Sequence, residues 1–212
     1  MEKIKELITE SMQEFELTPE DMVDFWLKNG MLSPMFLKNA EKYEDSLEVY
    51  PGWYAFEGYR FSPNPEAYPN RQGVVSFVDM NAPKGKRIGV LLPKRVMKTC
   101  YHPQAVLLGA NDENDGLKNS LLIGIEKDGF DVTGISPNDL FRPAKMQGDM
   151  IAENLDAVNS ALEKIDGDLL YDFSWLSTEI DEKNAWAINF GAKTLIMMNK
   201  QLPLGERRMF LL

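Results

Sequence analysis

Trp175-Leu176-Ser177-Thr178-Glu179 is followed, after the polar turn Ile180-Asp181-Glu182-Lys183, by Asn184-Ala185-Trp186-Ala187-Ile188-Asn189-Phe190. The second run has the two-residue rhythm of a strand, which puts Trp186, Ile188 and Phe190 on one face and Ala185, Ala187 and Asn189 on the other. The large apolar side chains predict a core on the first face. The small and polar ones predict solvent or a shallow contact surface on the second. In the first run Trp175 is large enough to anchor irregular structure. Ser177 and Thr178 suit bonding to irregular backbone, and Glu179 suits accepting several backbone N–H groups.

Working outward, Thr194 to Met198 and Arg208 to Leu212 read as further short strands. Ahead of the tryptophans, Ile151, Leu155, Val158, Leu162 and Ile165 recur at helical spacing, so one long helix is expected from Pro143 to about Ile165. A shorter helix is expected from Leu117 to Lys127, ending at Asp128-Gly129, and Ser136-Pro137-Asn138-Asp139 carries the signature of a capped turn. Gly73 to Val78 and Arg87 to Leu92 predict a hairpin, whereas the aromatic stretches Tyr50 to Tyr54 and Tyr59 to Tyr68, rich in proline and glycine, predict irregular structure. Residues 1–45 read as capped amphipathic helices, with Ile4, Leu7, Ile8, Met12 and Phe15 on one face. The expected organisation is therefore a helical N-terminal segment over 1–45 and an α+β domain over 46–212.

The chain has 212 residues and a formal net charge of −10, and an acidic surface of that kind repels phosphate backbones and anionic lipid. Neither nucleic-acid binding nor membrane insertion is expected. The short basic run Lys84-Gly85-Lys86-Arg87 reads as a solvated turn. The N-terminus is charged at once and lacks an apolar signal core, so synthesis in a cytoplasm is expected, compatible with later assembly into a phage particle.

Chemistry-bearing patterns are few. Cys100 and His102 share a face if extended, but no third group nearby would orient the imidazole. Asn111-Asp112-Glu113-Asn114-Asp115-Gly116 has the composition of a calcium loop. With Gly116 at the sixth position of an EF-hand, however, the bidentate glutamate would fall on Leu122. The alternative, in which Asn114 or Asp115 caps the next helix, fits better. No catalytic residue, metal or cofactor is expected.

The second half of the chain resembles the Lcl C-terminal type of domain, a group of bacterial and phage domains in the wider C-type-lectin-like class that also includes variable proteins of diversity-generating retroelements. Asp115-Gly116-Leu117-Lys118-Asn119 is similar to the family's first element, and Phe141-Arg142-Pro143-Ala144 occupies its second. The helix from Asn154 to Ile165, the Trp175 to Glu179 run, Asn184-Ala185-Trp186, Asn189-Phe190, Lys200 and Glu206 to Phe210 follow in order. Two departures stand out: Arg142 replaces a usual leucine, and Leu176 replaces a serine.

The resemblance implies a C-type-lectin-like C-terminal half, with a small twisted antiparallel sheet and flanking helices. It also implies non-catalytic recognition of a protein or glycan through loops and strands between Asp172 and Lys200. Asp181, Glu182, Lys183, Asn184, Asn189 and Asn199 are the polar positions expected there, while Trp175, Ser177, Thr178, Glu179, Trp186 and Phe190 are expected to hold the scaffold. The alternative expectation is a structural protein that docks or forms homo-oligomers through its N-terminal helices.

Overall fold

The structure is a computed structural model that describes residues 48–125 and 132–212; the expected N-terminal helices lie outside the described residues. Glu48–Leu212 forms one compact unit. The described strands make two five-stranded sheets. The first contains β1 (Tyr54–Phe56), β2 (Arg60–Ser62), β3 (Arg71–Val78), β4 (Ile88–Leu91) and β10 (Met209–Leu211) in the order β10-β4-β3-β1-β2. The second contains β5 (Val96–Thr99), β6 (Phe173–Glu179), β7 (Asn184–Asn189), β8 (Thr194–Asn199) and β9 (Leu204–Glu206) in the order β5-β9-β6-β7-β8. Pairing is antiparallel throughout except between β6 and β9. The α+β class expected from sequence is present.

Helices α1 (Gly116–Ile123), α2 (Lys145–Glu153) and α3 (Leu155–Glu163) complete the described fold, with a single 3-10 turn at Pro137–Asp139 capped by the Ser136 hydroxyl. The apolar stripe expected as one helix is divided between α2 and α3. The backbone leaves helical geometry at Asn154 (φ −101°, ψ 14°), whose side-chain amide donates to the Met150 carbonyl at 2.8 Å. The stripe nevertheless stays in register. Ile151, Leu155, Val158 and Leu162 are buried in one core with Tyr54, Phe56, Val74 and Met209 of the first sheet, Leu176 and Ile188 of the second, and Phe190 just after β7. The two helices thus supply the apolar layer that both sheets share.

Helix α1 stops at Ile123 because Gly124 turns left-handed (φ 68°) and returns its N–H to the Ser120 carbonyl, four residues earlier than the sequence suggested. Its start requires a glycine for another reason. A Cβ on Gly116 would sit 2.5 Å from the Arg142 carbonyl oxygen.

Two expectations about connectivity are corrected. The stretches Tyr50 to Tyr54 and Tyr59 to Tyr68 are not wholly irregular: the first opens β1 and the second contains β2, and alternation could not reveal strands of three residues each. The C-terminal strand does pair inside a sheet, but in the first one, antiparallel to β4 (Met209↔Leu91, Phe210↔Val90, Leu211↔Gly89). The C-terminal half, expected to have a small sheet of its own, therefore gives its last strand to a sheet built from residues before it.

Candidate functional site

The Trp175 to Glu179 run lies on the central strand β6 and is buried along its length. The Trp175 indole donates to the Thr99 carbonyl at 3.0 Å and meets the Tyr101 ring edge-on, with centroids 5.6 Å apart. Ser177 donates from its hydroxyl and its backbone N–H to the Pro143 carbonyl. The Thr178 hydroxyl donates to the Asp112 carbonyl and accepts from the Lys145 N–H, the first amide of α2. Glu179 accepts backbone N–H bonds from Leu108 and Gly109 at 2.8–3.0 Å. These bonds tie β6 to the segments around Leu108, Asp112 and Pro143.

Two buried ionic groups extend this centre. Lys200 is inaccessible to solvent, pairs with Glu179, donates to the Val106 carbonyl at 2.7 Å and lies 5.6 Å from the Tyr101 ring centroid. Arg142, the residue in the leucine position, pairs with Glu206, which also pairs with Arg208. Arg142 further donates to the Tyr101 carbonyl at 3.2 Å. Burial, reinforced by the Glu179 charge, raises the Tyr101 hydroxyl above its ordinary pKa, and that hydroxyl donates to the Ser177 carbonyl at 2.8 Å. These charges are spent on the fold. They clamp the segment from Thr99 to Asp112 over β6; the sequence pointed to Glu179 as a backbone acceptor and to Arg142, Lys200 and Glu206 to Phe210 as motif positions, but not to their pairing.

The faces of β7 are not as expected. Ala185 and Ala187 are fully buried in a second core with Trp175, Tyr101, Ala110, Ile123 and Ile125, so they are small because the packing there is close. On the opposite face Ile188 and Phe190 are buried as expected, but Trp186 is only half-buried, with the Lys145 ammonium 5.2 Å from its ring centroid. The strand lies between two apolar layers, and a two-residue alternation cannot separate that from a strand with one wet face.

The six polar positions expected to bind ligand do not converge. Asp181, Glu182, Lys183, Asn184 and Asn199 sit at one end of the β7–β8 hairpin and Asn189 at the other, five residues along β7, or roughly 16 Å. Several also have local work. Asp181 Oδ1 accepts from the Lys183 and Asn184 backbone N–H groups at 2.7 and 2.8 Å, and both its oxygens accept from the Asn184 amide. The Asn184 bonds hold the Asp181 carboxyl below its usual pKa. Asn189 Oδ1 accepts from the Ala192 N–H and Asn199 Oδ1 from the Gln201 N–H. Glu182 and Lys183 are exposed at the turn.

The remaining candidates are also engaged locally. Asp115 caps α1 by accepting from the Lys118 N–H at 2.9 Å. Asp112 Oδ1 accepts from the Asn114 and Asp115 N–H groups, and its other oxygen pairs with Lys118 at 3.1 Å. The buried Asn119 amide exchanges hydrogen bonds with the Asp112 backbone. His102 Nδ1 lies 3.0 Å from the Gln104 carbonyl oxygen and 3.2 Å from the Gln104 nitrogen, closing its own turn. Among the described residues no group of three His, Cys, Asp or Glu side chains is placed to hold a metal ion. No helix among them is long and apolar enough to cross a membrane.

What the outer surface of the second sheet offers instead is β8. It pairs with β7 over six consecutive residues without a bulge, and no described strand pairs with its outer edge. Its sequence Thr194-Leu195-Ile196-Met197-Met198-Asn199 is uncharged, with Ile196 37% and Met197 56% exposed.

No protein-family model and no curated protein matches the chain. Among solved structures the fold is similar to that of a fimbrial protein from Bacteroides ovatus ATCC 8483, with a TM-score of 0.58 at 14% sequence identity. The similarity covers 78% of this chain and 49% of that one, so this chain corresponds to about half of that protein's length, and what the two share is a fold.

Proposed function

We propose that this chain is a non-catalytic assembly module that works by surface contact between its own copies, on a scaffold of the C-type-lectin-like class. The observation that carries the reading is the contrast between the interior and β8. The charged groups around β6 are engaged in holding the fold, while the longest regular outer edge among the described strands is apolar and open. The lectin-like assignment is supported by the Trp175 to Glu179 run at the centre of a small sheet, by helices packed on that sheet and by a C-terminal strand paired with an early one. The similarity to a fimbrial protein is in keeping with a structural role.

A ligand surface for a protein or glycan at the Asp181–Asn184 turn is the second reading, favoured by the exposure of Glu182 and Lys183 at its tip. Native mass spectrometry of the full chain across a concentration series separates the two. The assembly reading expects species above monomer, and a monomer at every concentration contradicts it.

A further inference from the structure

We propose that β8 is a self-association edge: two copies of this chain pair their β8 strands antiparallel about a two-fold axis at Met197, joining two five-stranded sheets into one. The inference rests on the assembly reading and names its contact surface and geometry.

The other sheet edges are each protected by a recognisable device. β2 is three residues long and begins with the cation Arg60. β5 is four residues long, and its register with β9 shifts between Val96 and Thr99. β10 is three residues long, and its outer side is bridged by Phe141 through two backbone bonds of 3.0 Å to Met209. Short length, charge, irregular register and a covering segment are the usual protections of an edge against strand addition. β8 has none of these among the described residues. It is the longest of the four edge strands, its register is regular, and it contains neither charge nor proline.

Symmetry selects a second copy as the occupant, and the absence of charge on β8 permits it. A chain of net charge −10 repels itself over most of its surface, yet β8 brings no charge to the contact. An antiparallel edge pair is self-complementary under a two-fold axis perpendicular to the sheet. With the axis at Met197, Met197 faces its own counterpart, Ile196 faces Met198 of the second copy, and Leu195 faces Asn199. The axis falls there because Met197 is the most exposed apolar residue of the strand and gains most from being covered. Outward backbone N–H and C=O groups of the two strands satisfy one another, as in other strand-addition interfaces.

The test is sedimentation equilibrium on the full-length chain, wild type and with Met197→Lys or Met197→Glu. Wild type is expected to show a mass that rises with concentration toward that of a dimer. Each charged variant alone should weaken association at least about tenfold, because like charges then face each other across the axis. An equimolar mixture of the two should restore it. Thermal melts of the variants check their fold. A Met197→Cys substitution in a Cys100→Ser background, oxidised in air, gives a second readout, since a pairing centred near residue 197 holds the two thiols together and cross-links them faster than a Glu182→Cys control exposed at the distant turn. Association that is equally strong in all variants, with Met197→Cys cross-linking no faster than the control, overturns the β8 edge while leaving the assembly reading intact. A wild-type monomer at every concentration overturns both.

Discussion

Lys200 and Glu179 are both closed to solvent, and each has further bonds to the backbone between Val106 and Gly109. Removing one partner leaves the other charge buried and unpaired, which costs about 3–5 kcal/mol. Lys200→Met is expected to lose stability on that scale in urea denaturation. Replacing both residues together should cost less than the sum of the single changes, because the stranded charge is then gone. Trp175→Ala empties a fully buried site and is expected to cost about 3–5 kcal/mol. Ala187→Leu overfills the same core and is expected to cost about 1–3 kcal/mol, whereas a neutral result would return that face of β7 to solvent. Acid should also tell. The Asn114 N–H bond, with Lys118, holds Asp112 below the usual carboxylate range, and the Arg95 N–H bond does the same for Asp168. Both are ionised more readily folded than unfolded. Their stabilisation is therefore present above the ordinary aspartate pKa of about 4 and is lost as pH falls through the lower folded values. Denaturation midpoints should drop below that pH, and Asp168→Asn should shallow the drop.

At the scale of elements, β10 shows how far apart in sequence two paired strands can lie. It closes the first sheet beside β4, and the Phe141 bridge seals it, so deletion of Met209 to Leu212 is expected to expose Ile88 to Leu91. Hydrogen exchange should then rise across β4 as well as at the truncation. A β4 protected as in the full chain would show that β10 is dispensable. Local pattern made β3, β4, β7 and β8 legible in the sequence, and the apolar stripe of α2 and α3 with them, because each carries a sustained period. The break at Asn154 was not legible, since the stripe continues through it. Nor were β1, β2, β5 and β9, which are three or four residues long and are strands only because longer ones lie beside them. The Asp115 to Asn119 motif was visible as a helix start. Its deeper reasons, the close approach of Gly116 to the Arg142 carbonyl and the Asn119 bonds to Asp112, need the folded neighbours to be seen.

Over the whole described unit, two sheets share one helical layer, and a loop clamped by buried ion pairs covers the outer side of the second sheet. The six polar positions expected to bind ligand divide between the two ends of the β7–β8 hairpin, and composition alone does not place residues relative to one another in space. The open edge was harder to find, because a strand is an edge only in relation to its sheet; six uncharged residues read the same at the centre. Amide hydrogen exchange of β8 followed across a protein concentration series tests the central claim most directly. Protection of the Thr194 to Asn199 amides is expected to rise with concentration, while those of Ile88 to Leu91 stay constant. Exchange in β8 that is independent of concentration over the range in which the chain associates would contradict the edge as the contact.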